Sequence, residues 1–376
     1  MRLKRISINN FKNIAEARLD FSPDINCFLG NNGMGKTNLL DAIHYLSLAR
    51  SFSGLNDSAL IRRGTDFMML RGEYDRHGID EEISAGVIAG KRKSFKRKGK
   101  EYQRLSDHIG LFPLVLVAPS DTDLINGTGE ERRRLMDMVI SQSDPVYLDH
   151  LIRYSRSLQQ RNKMLRDHVA DHNLYAAVEM AMDFSADYLA KSRRRWVEEL
   201  TPIFTELYGA IAGDGEAPAL RYQTHLDDPT QSLAELFERT RQRDTITGHT
   251  TVGPHRDDLE LTLNKLPVRR AASQGQCKSF TVAMRLAQYD FLRRSAGVAP
   301  LLLLDDIFDK LDSRRVERII SIVRSGNRFG QIFITDTNRD HLDSIMEIAG
   351  GDYRIWETVN GSFKDGLSSN TPDTTK

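Results

Sequence analysis

The chain opens on alternating apolar and polar positions, MRLKRISINNF, which predicts a strand and lacks the continuous apolar core of a secretory leader. Ile25 to Leu29 is a second apolar stretch, and a helical pattern with Leu39, Ile43 and Leu46 on one face follows the glycines after it. Phe67 to Tyr74 and Ile83 to Ile88 read as further strands. From Glu130 to about Arg243 the period lengthens to that of helices. Tyr147, Leu151, Tyr154 and Leu158 define one helix, and Leu174, Val178, Ala181, Leu189, Trp196 and Leu200 define a partner, so an antiparallel pair with its bend at 167–173 is expected. The Gly-, Pro- and Asp-rich stretch 212–229 reads as a connection back to a strand carrying Thr250 and Val252. Phe280, Ala283, Met284, Ala287 and Phe291 recur at helical spacing. Leu301 to Leu304 and Gln331 to Thr335 are uninterrupted apolar runs, suited to strands covered on both faces of a parallel sheet. The pattern predicts an α/β fold, a mixed-sheet head with a short α-helical lobe, and the Ser-, Thr- and Asp-rich end from about residue 361 reads as a disordered tail.

Three separated segments carry the candidate chemistry. Gly30 to Thr37, GNNGMGKT, has the spacing of a phosphate-binding loop and sits between strand and helix, as that motif requires. Its glycines let backbone N–H groups turn toward a polyphosphate, and the following helix aims its positive end at the same anion. Gly30, Asn31, Asn32, Gly33, Met34, Gly35, Lys36, Thr37 and Asn38 are therefore the expected ATP contacts, with Lys36 reaching the β- and γ-phosphates and the Thr37 hydroxyl holding Mg2+. A glycine-rich turn that matches by coincidence is the plain alternative. Asp305 and Asp306 end the Leu301 to Leu304 run, where ligands collect in open α/β sheets. Asp305 is expected to support the Mg2+, and Asp306 to orient or deprotonate the attacking water, although adjacent acids after a strand can also simply cap the next helix. Ser273-Gln-Gly-Gln stands where a helix N-cap belongs, and by itself it is an ordinary helix start.

At 376 residues the chain suits two to three domains, and no apolar run approaches the ~18 residues of a membrane helix. Hydrophobic residues are 40% and charged residues 28%, the balance of a soluble globular protein. Cys27 and Cys277 are the only cysteines, which excludes a disulfide framework and points to the cytoplasm. A net charge of +1 gives the whole molecule no general pull on nucleic acid, so such binding must come from local patches. The densest is the Lys91 to Lys100 run, where Lys98-Gly99 can turn a hairpin; Lys93, Lys96, Arg97 and Lys98 are candidate DNA contacts, against the reading of a solvated edge whose lysines block aggregation. Arg132, Arg133 and Arg134 form a second candidate cluster, and Arg193 to Arg195 a third, against the reading of solvated helix faces. His255, after Gly253-Pro254, is expected to make local hydrogen bonds.

The order phosphate loop, Ser-Gly segment, carboxylate strand resembles that of the ATP-binding-cassette superfamily, which implies that Ser273, Gly275 and Gln276 of one subunit complete the nucleotide site of another, with Asp309 to Asp312 along the interface. A closer resemblance is to the RecF family of bacterial recombination-mediator ATPases, whose heads resemble those of structural-maintenance-of-chromosomes proteins. It rests on Asn10-Phe-Lys-Asn, the Gly30 to Asn38 loop, Arg50-Ser-Phe, Ala118-Pro-Ser-Asp, Glu131-Arg-Arg-Arg, Val252-Gly-Pro-His-Arg-Asp-Asp-Leu, Ser273-Gln-Gly-Gln and the Leu303 to Asp312 segment. The resemblance implies an ATP-dependent homodimer on double-stranded or gapped DNA, slow DNA-stimulated hydrolysis that ends the bound state, cooperation with RecR and RecO in loading the recombinase RecA, and support of SOS induction. It also implies a cytoplasmic, nucleoid-associated site of action without membrane partners. The magnesium-contacting glutamine of the superfamily has no secure counterpart, Ala118 to Asp121 being the place to look, and Thr335-Asp336-Thr337 replaces the transporter histidine. The expected domains are 1–122 and 246–360 for the two halves of the head, 123–245 for the helical lobe and 361–376 for the tail. An ATP-switched platform for other proteins and the nucleotide-binding subunit of a transporter are the competing classes.

Overall fold

The computed structural model describes residues 1–213, 215–228, 230–308, 311–324, 328–339 and 352–368. In chain order the strands begin β1 (Arg2–Phe11), β2 (Ile14–Asp20), β3 (Ile25–Leu29), β4 (Phe67–Arg76), β5 (Ile79–Ile88), β6 (Ser94–Arg97), β7 (Lys100–Glu101) and β8 (Leu114–Val117). They continue with β9 (Pro218–Gln223), β10 (Asp258–Leu263), β11 (Leu266–Pro267), β12 (Leu301–Asp305), β13 (Ile332–Asp336), β14 (Tyr353–Val359) and β15 (Ser362–Ser368). The helices are α1 (Lys36–Leu48), α2 (Asp123–Asn126), α3 (Gly129–Ser143), α4 (Pro145–Arg166), α5 (His172–Ala212), α6 (Leu233–Thr247), α7 (Val268–Ala271), α8 (Gln274–Ala296) and α9 (Ser313–Arg324). Packing divides the chain into a first unit of Met1–Asp121, Ala210–Ala212 and Val282–Lys376, and a second of Thr122–Gly209 and Gly213–Thr281.

In the first unit an antiparallel sheet of order β2-β1-β4-β5-β6-β7 faces α1. Strict alternation along β4 turns Met68, Leu70 and Tyr74 inward and Phe67, Met69 and Arg71 outward. A second sheet of order β15-β14-β3-β13-β12-β8 is parallel except for the edge strand β15. The helix α1 was expected to bury one face, yet Leu39, Leu40, Ala42, Ile43, Tyr45 and Leu46 are all buried. It lies between the sheets, in one core with Ile6, Ile8, Leu70 and Ile83 on one side and Leu114, Leu301, Leu303 and Phe333 on the other. The parallel register sets Leu29 beside Asp336 and Thr335 beside Asp305, so the C-terminal ends of β3, β13 and β12 form one rim.

The expected tail is corrected in part. Residues 362–368 form β15, antiparallel to β14, with Asn360-Gly361 as the two-residue turn at φ 49° and 78°. The apolar and aromatic residues of Tyr353–Val359 and the Asn-Gly pair decide this locally, over the polar composition. Residues 369–376 lie outside the described residues.

The second unit holds α4 and α5 as the expected antiparallel neighbours: Arg161 reaches Glu179 while, toward the other end of both helices, Arg193 reaches Tyr147. Asp144 and Asp171 cap the two helices through backbone N–H groups, and the bend is residues 167–171. This unit is not helical throughout, because β9, inside the expected connection, pairs with β10 in the sheet β11-β10-β9. That pairing places 246–281 here and moves the boundary away from residue 245. Thr250 and Val252 are not in a strand. The N–H groups of Thr250 and Thr251 go to the side chains of Asn162 and Asp244 instead of to a ladder. No helix among the described residues is long and apolar enough to cross a membrane.

Candidate nucleotide site

The loop after β3 takes its path from its glycines. Gly33 and Gly35 have φ of 79° and 113°, a region open to glycine at little steric cost, and a Cβ on Gly30 would meet the Thr358 carbonyl oxygen at 2.4 Å. Asn31, Asn32 and Gly33 are exposed, so their backbone is open to a ligand. Lys36, at the first position of α1, donates from Nζ to the carbonyl oxygens of Gly30 (2.5 Å) and Asn31 (3.0 Å), arching over the loop. Burial pushes the Lys36 ammonium down, and the attraction of Asp306, Asp305 and Asp336 opposes it. Asn38 donates to Asn13, whose amide donates to the Gly33 carbonyl at 3.4 Å.

The Thr37 hydroxyl donates to Asp305, with Oδ1 at 2.9 Å and Oδ2 at 3.0 Å. This joins the loop to the carboxylate strand across 268 residues of sequence. Burial pushes the Asp305 carboxyl up, while hydrogen bonds from Thr335 and Thr37 pull it down. Asp306 has φ 48°, uncommon for a residue with a side chain. Its N–H donates to the Thr335 carbonyl (3.2 Å) and hydroxyl (3.1 Å), and the same hydroxyl donates to Asp305 at 2.7 Å. Thr335 therefore fixes both acids, a role the sequence reading missed because β13 became a neighbour of β12 only through the sheet. Asp336, in the segment that stands in place of the transporter histidine, is buried and accepts the Asn338 N–H. Asp121, in the Ala118 to Asp121 segment, accepts the Ala118 N–H at 2.9 Å and pairs with Arg285 at 2.5 Å.

Two segments quoted for the resemblance meet at Asp41 of α1. Its carboxylate takes Lys12, the Ser51 hydroxyl and the Phe52 N–H at 2.6, 2.6 and 2.9 Å. In the second unit Ser273 caps α8 as expected: its hydroxyl accepts the Gln276 N–H, and Gln276 accepts the Ser273 N–H. Gln276 also donates to Glu216, and Gly275 lies in the first turn of α8. Asp312 accepts the Arg315 N–H at the start of α9; Asp309 and Lys310 lie outside the described residues.

The basic candidates divide sharply. Lys93 donates to the Ala49 carbonyl and pairs with Asp57, Arg97 forms a two-point pair with Glu81, and Lys98 joins the same carboxylate. Lys96 alone of the four keeps an exposed ammonium without a partner among the described residues. The other candidate cluster is largely structural. Arg132 grips both oxygens of Asp258, Arg133 donates to the Asp257 carbonyl, and only Arg134, paired with Glu130, is exposed. Arg193 is buried, bound to Asp137, Asp257, the Pro254 carbonyl and Tyr147. His255 bridges the Tyr154 hydroxyl and the Thr250 carbonyl, and burial lowers its pKa to about 4. Glu131-Arg-Arg-Arg and Gly253-Pro-His-Arg-Asp-Asp are thus two sides of one polar lock in the second unit.

The profile of the RecF/RecN/SMC N-terminal domain matches residues 2–353. The DNA replication and repair protein RecF of Parabacteroides distasonis is 48% identical over 364 residues, 97% of this chain and 99% of that one. A solved structure of the recombination mediator protein RecF with ATP, from the RecFOR pathway, superposes with a TM-score of 0.86 at 26% identity, covering 97% of both chains. An Smc head bound to the C-terminal winged-helix domain of ScpA matches in fold alone, with a TM-score of 0.60 at 17% identity over 98% of each chain.

Proposed function

The chain belongs to the RecF/RecN/SMC family and to its RecF branch, and we propose that it is an ATP-dependent DNA replication and repair protein whose nucleotide-bound dimer holds DNA. The carrying observation is the Thr37–Asp305 hydrogen bond, which brings phosphate loop and carboxylate strand into one site. The donor set suits the ligands. Thr37 and Asp305 offer adjacent hard oxygens for Mg2+, and the open loop with the Lys36 ammonium and the start of α1 suits a triphosphate.

Lys36 exchanges its two carbonyl partners for phosphate oxygens, and the backbone N–H groups of residues 31–35 bind the same chain of phosphates. Thr37 and Asp305 would hold Mg2+, which would supply positive charge beside the phosphate oxygens. Asp306, its backbone fixed by Thr335, orients the attacking water and accepts its proton. The cap built by Ser273 and Gln276, with Gly275 beside it, presents a helix N-terminus to the γ-phosphate held by a second copy. DNA contacts come from Lys91, Arg92, Lys96 and Lys100, exposed and unpaired among the described residues, and not from Arg97, Lys98, Arg132 or Arg133, whose partners hold them. We propose further that it cooperates with RecR and RecO, helps to load RecA and supports SOS induction, a reading supported by its likeness to the RecFOR-pathway structure.

Solution mass tests the core of this. The parent is expected to be a dimer only with Mg2+ and ATP, Asp306→Asn to keep that dimer while hydrolysing slowly, and Ser273→Arg to remain a monomer. A mass indifferent to nucleotide in all three would refute the shared site and leave the ATP-switched platform.

A further inference from the structure

The hairpin of β14 and β15 touches the phosphate loop. The turn of the β14–β15 hairpin lies against Met34: the Gly361 N–H donates to the Met34 carbonyl at 2.7 Å, and the Asn360 N–H to its Sδ at 3.4 Å. Along β14, the Thr358 carbonyl faces Gly30. On the other side stands the β1–β2 turn. A Cβ on Gly35 would meet Asn13 Oδ1 at 2.9 Å and the Gly361 Cα at 3.2 Å, and a Cβ on Gly361 would meet the Asn13 carbonyl oxygen at 2.5 Å. Three turns interlock here, and at Gly361 the backbone leaves no room for a methyl group.

We infer that the Asn360-Gly361 turn is a positioning element of the nucleotide site, clamping residues 33–35 in the path that directs their N–H groups at phosphate. The inference rests on the nucleotide reading above. A loop with two glycines at positive φ has many conformations available when free, and binding a polyphosphate with it costs the entropy of selecting one. A turn that hydrogen-bonds Met34 from outside the ligand's space removes much of that cost in advance. The main-chain donors of the loop are thereby preset by a segment more than three hundred residues away.

The test compares ATP affinity, KM, kcat and the unfolding midpoint of the full chain with those of Gly361→Ala, Ile355→Val and Lys36→Ala. Gly361→Ala puts a methyl group into the Asn13 carbonyl at φ 78°. Its ATP dissociation constant and KM are expected to rise on the order of tenfold, with kcat nearly unchanged because Asp305, Asp306 and Thr335 are untouched. Ile355→Val loosens the same hairpin away from its turn, so it lowers the unfolding midpoint and leaves ATP affinity as it was. Parental ATP affinity in Gly361→Ala, alongside a clear loss in Lys36→Ala, overturns this inference alone. Equal loss of affinity in Ile355→Val also overturns it, since that is hairpin stability and not positioning. A parent chain that does not bind ATP overturns the nucleotide reading together with it.

Discussion

Thr335 holds the carboxylate of one acid and the backbone of the next with a single hydroxyl. Replacing it by Val removes both contacts while keeping the side-chain shape. Thr335→Val is expected to lower kcat for ATP hydrolysis by about tenfold to a hundredfold with little change in ATP affinity, and Thr335→Ser to restore it; steady-state kinetics and an ATP titration separate the two effects. The buried histidines make a second prediction at this scale. Burial lowers His44, His108 and His255 to about 4, against an ordinary value of 6.5. Above pH 6.5 they are neutral whether folded or unfolded, so their contribution to stability is complete there. As pH falls from 6.5 toward 4 the unfolded chain takes up protons that the folded chain excludes, and each histidine removes up to about 1.4 kcal/mol per pH unit. The unfolding midpoint should therefore drop between pH 7 and pH 5, and more gently in His255→Gln. The local role of His255 was legible from Gly253-Pro254 beside it, whereas its partner Tyr154, on α4, could not be found from sequence spacing.

At the scale of elements, the second unit depends on a few buried charges that tie helices together. Arg161 is fully buried on α4, yet reaches Glu179 on α5 at 3.0 Å, Asp244 on α6 at 2.7 Å and Thr250 beyond it, with its guanidinium 4.1 Å from the centre of the Phe237 ring. Arg161→Ala leaves Glu179 with Arg241 and Asp244 with the Thr251 N–H and hydroxyl, but takes from the buried Asp244 its ion-pair partner, and should destabilise the unit by roughly 3–5 kcal/mol, read from chemical unfolding. Arg161→Ala with Asp244→Ala should cost less than the sum of the single changes, because the two residues share one network. The helical periodicity gave α4, α5 and their bend correctly. It gave nothing of β9, a six-residue edge strand whose alternation buries Leu220 alone and is set in a Gly-, Pro- and Asp-rich stretch. Nor did it reveal that Arg132, Arg133 and Arg193 are internal links. A run of arginines looks the same in sequence whether its partners are phosphates or Asp257 and Asp258 of the same chain.

For the whole molecule, the proposed DNA binding has fewer cations to draw on than the basic runs suggest. Arg92→Ala with Lys96→Ala should weaken duplex binding and reduce the slope of log affinity against log salt by about 2, whereas Arg132→Ala should lower stability and leave that slope alone; binding isotherms across a salt series distinguish them. Local backbone geometry and period made several parts readable from the residues alone: the glycine loop between strand and helix, the buried run ending in Asp305 and Asp306, the Ser273 cap, and the paired helices. These are legible because glycine placement, capping and apolar spacing exert their effects within a few residues. The tertiary structure decided the rest. The sheet order β3-β13-β12 made Thr335 the neighbour of Asp305, ion pairing withdrew Arg97 and Arg132 from the free surface, and the β14–β15 turn came to rest on Met34. Each is a contact between residues far apart in sequence, and no periodicity or motif encodes it, because strand order and charge partners are chosen by the packing of the whole chain.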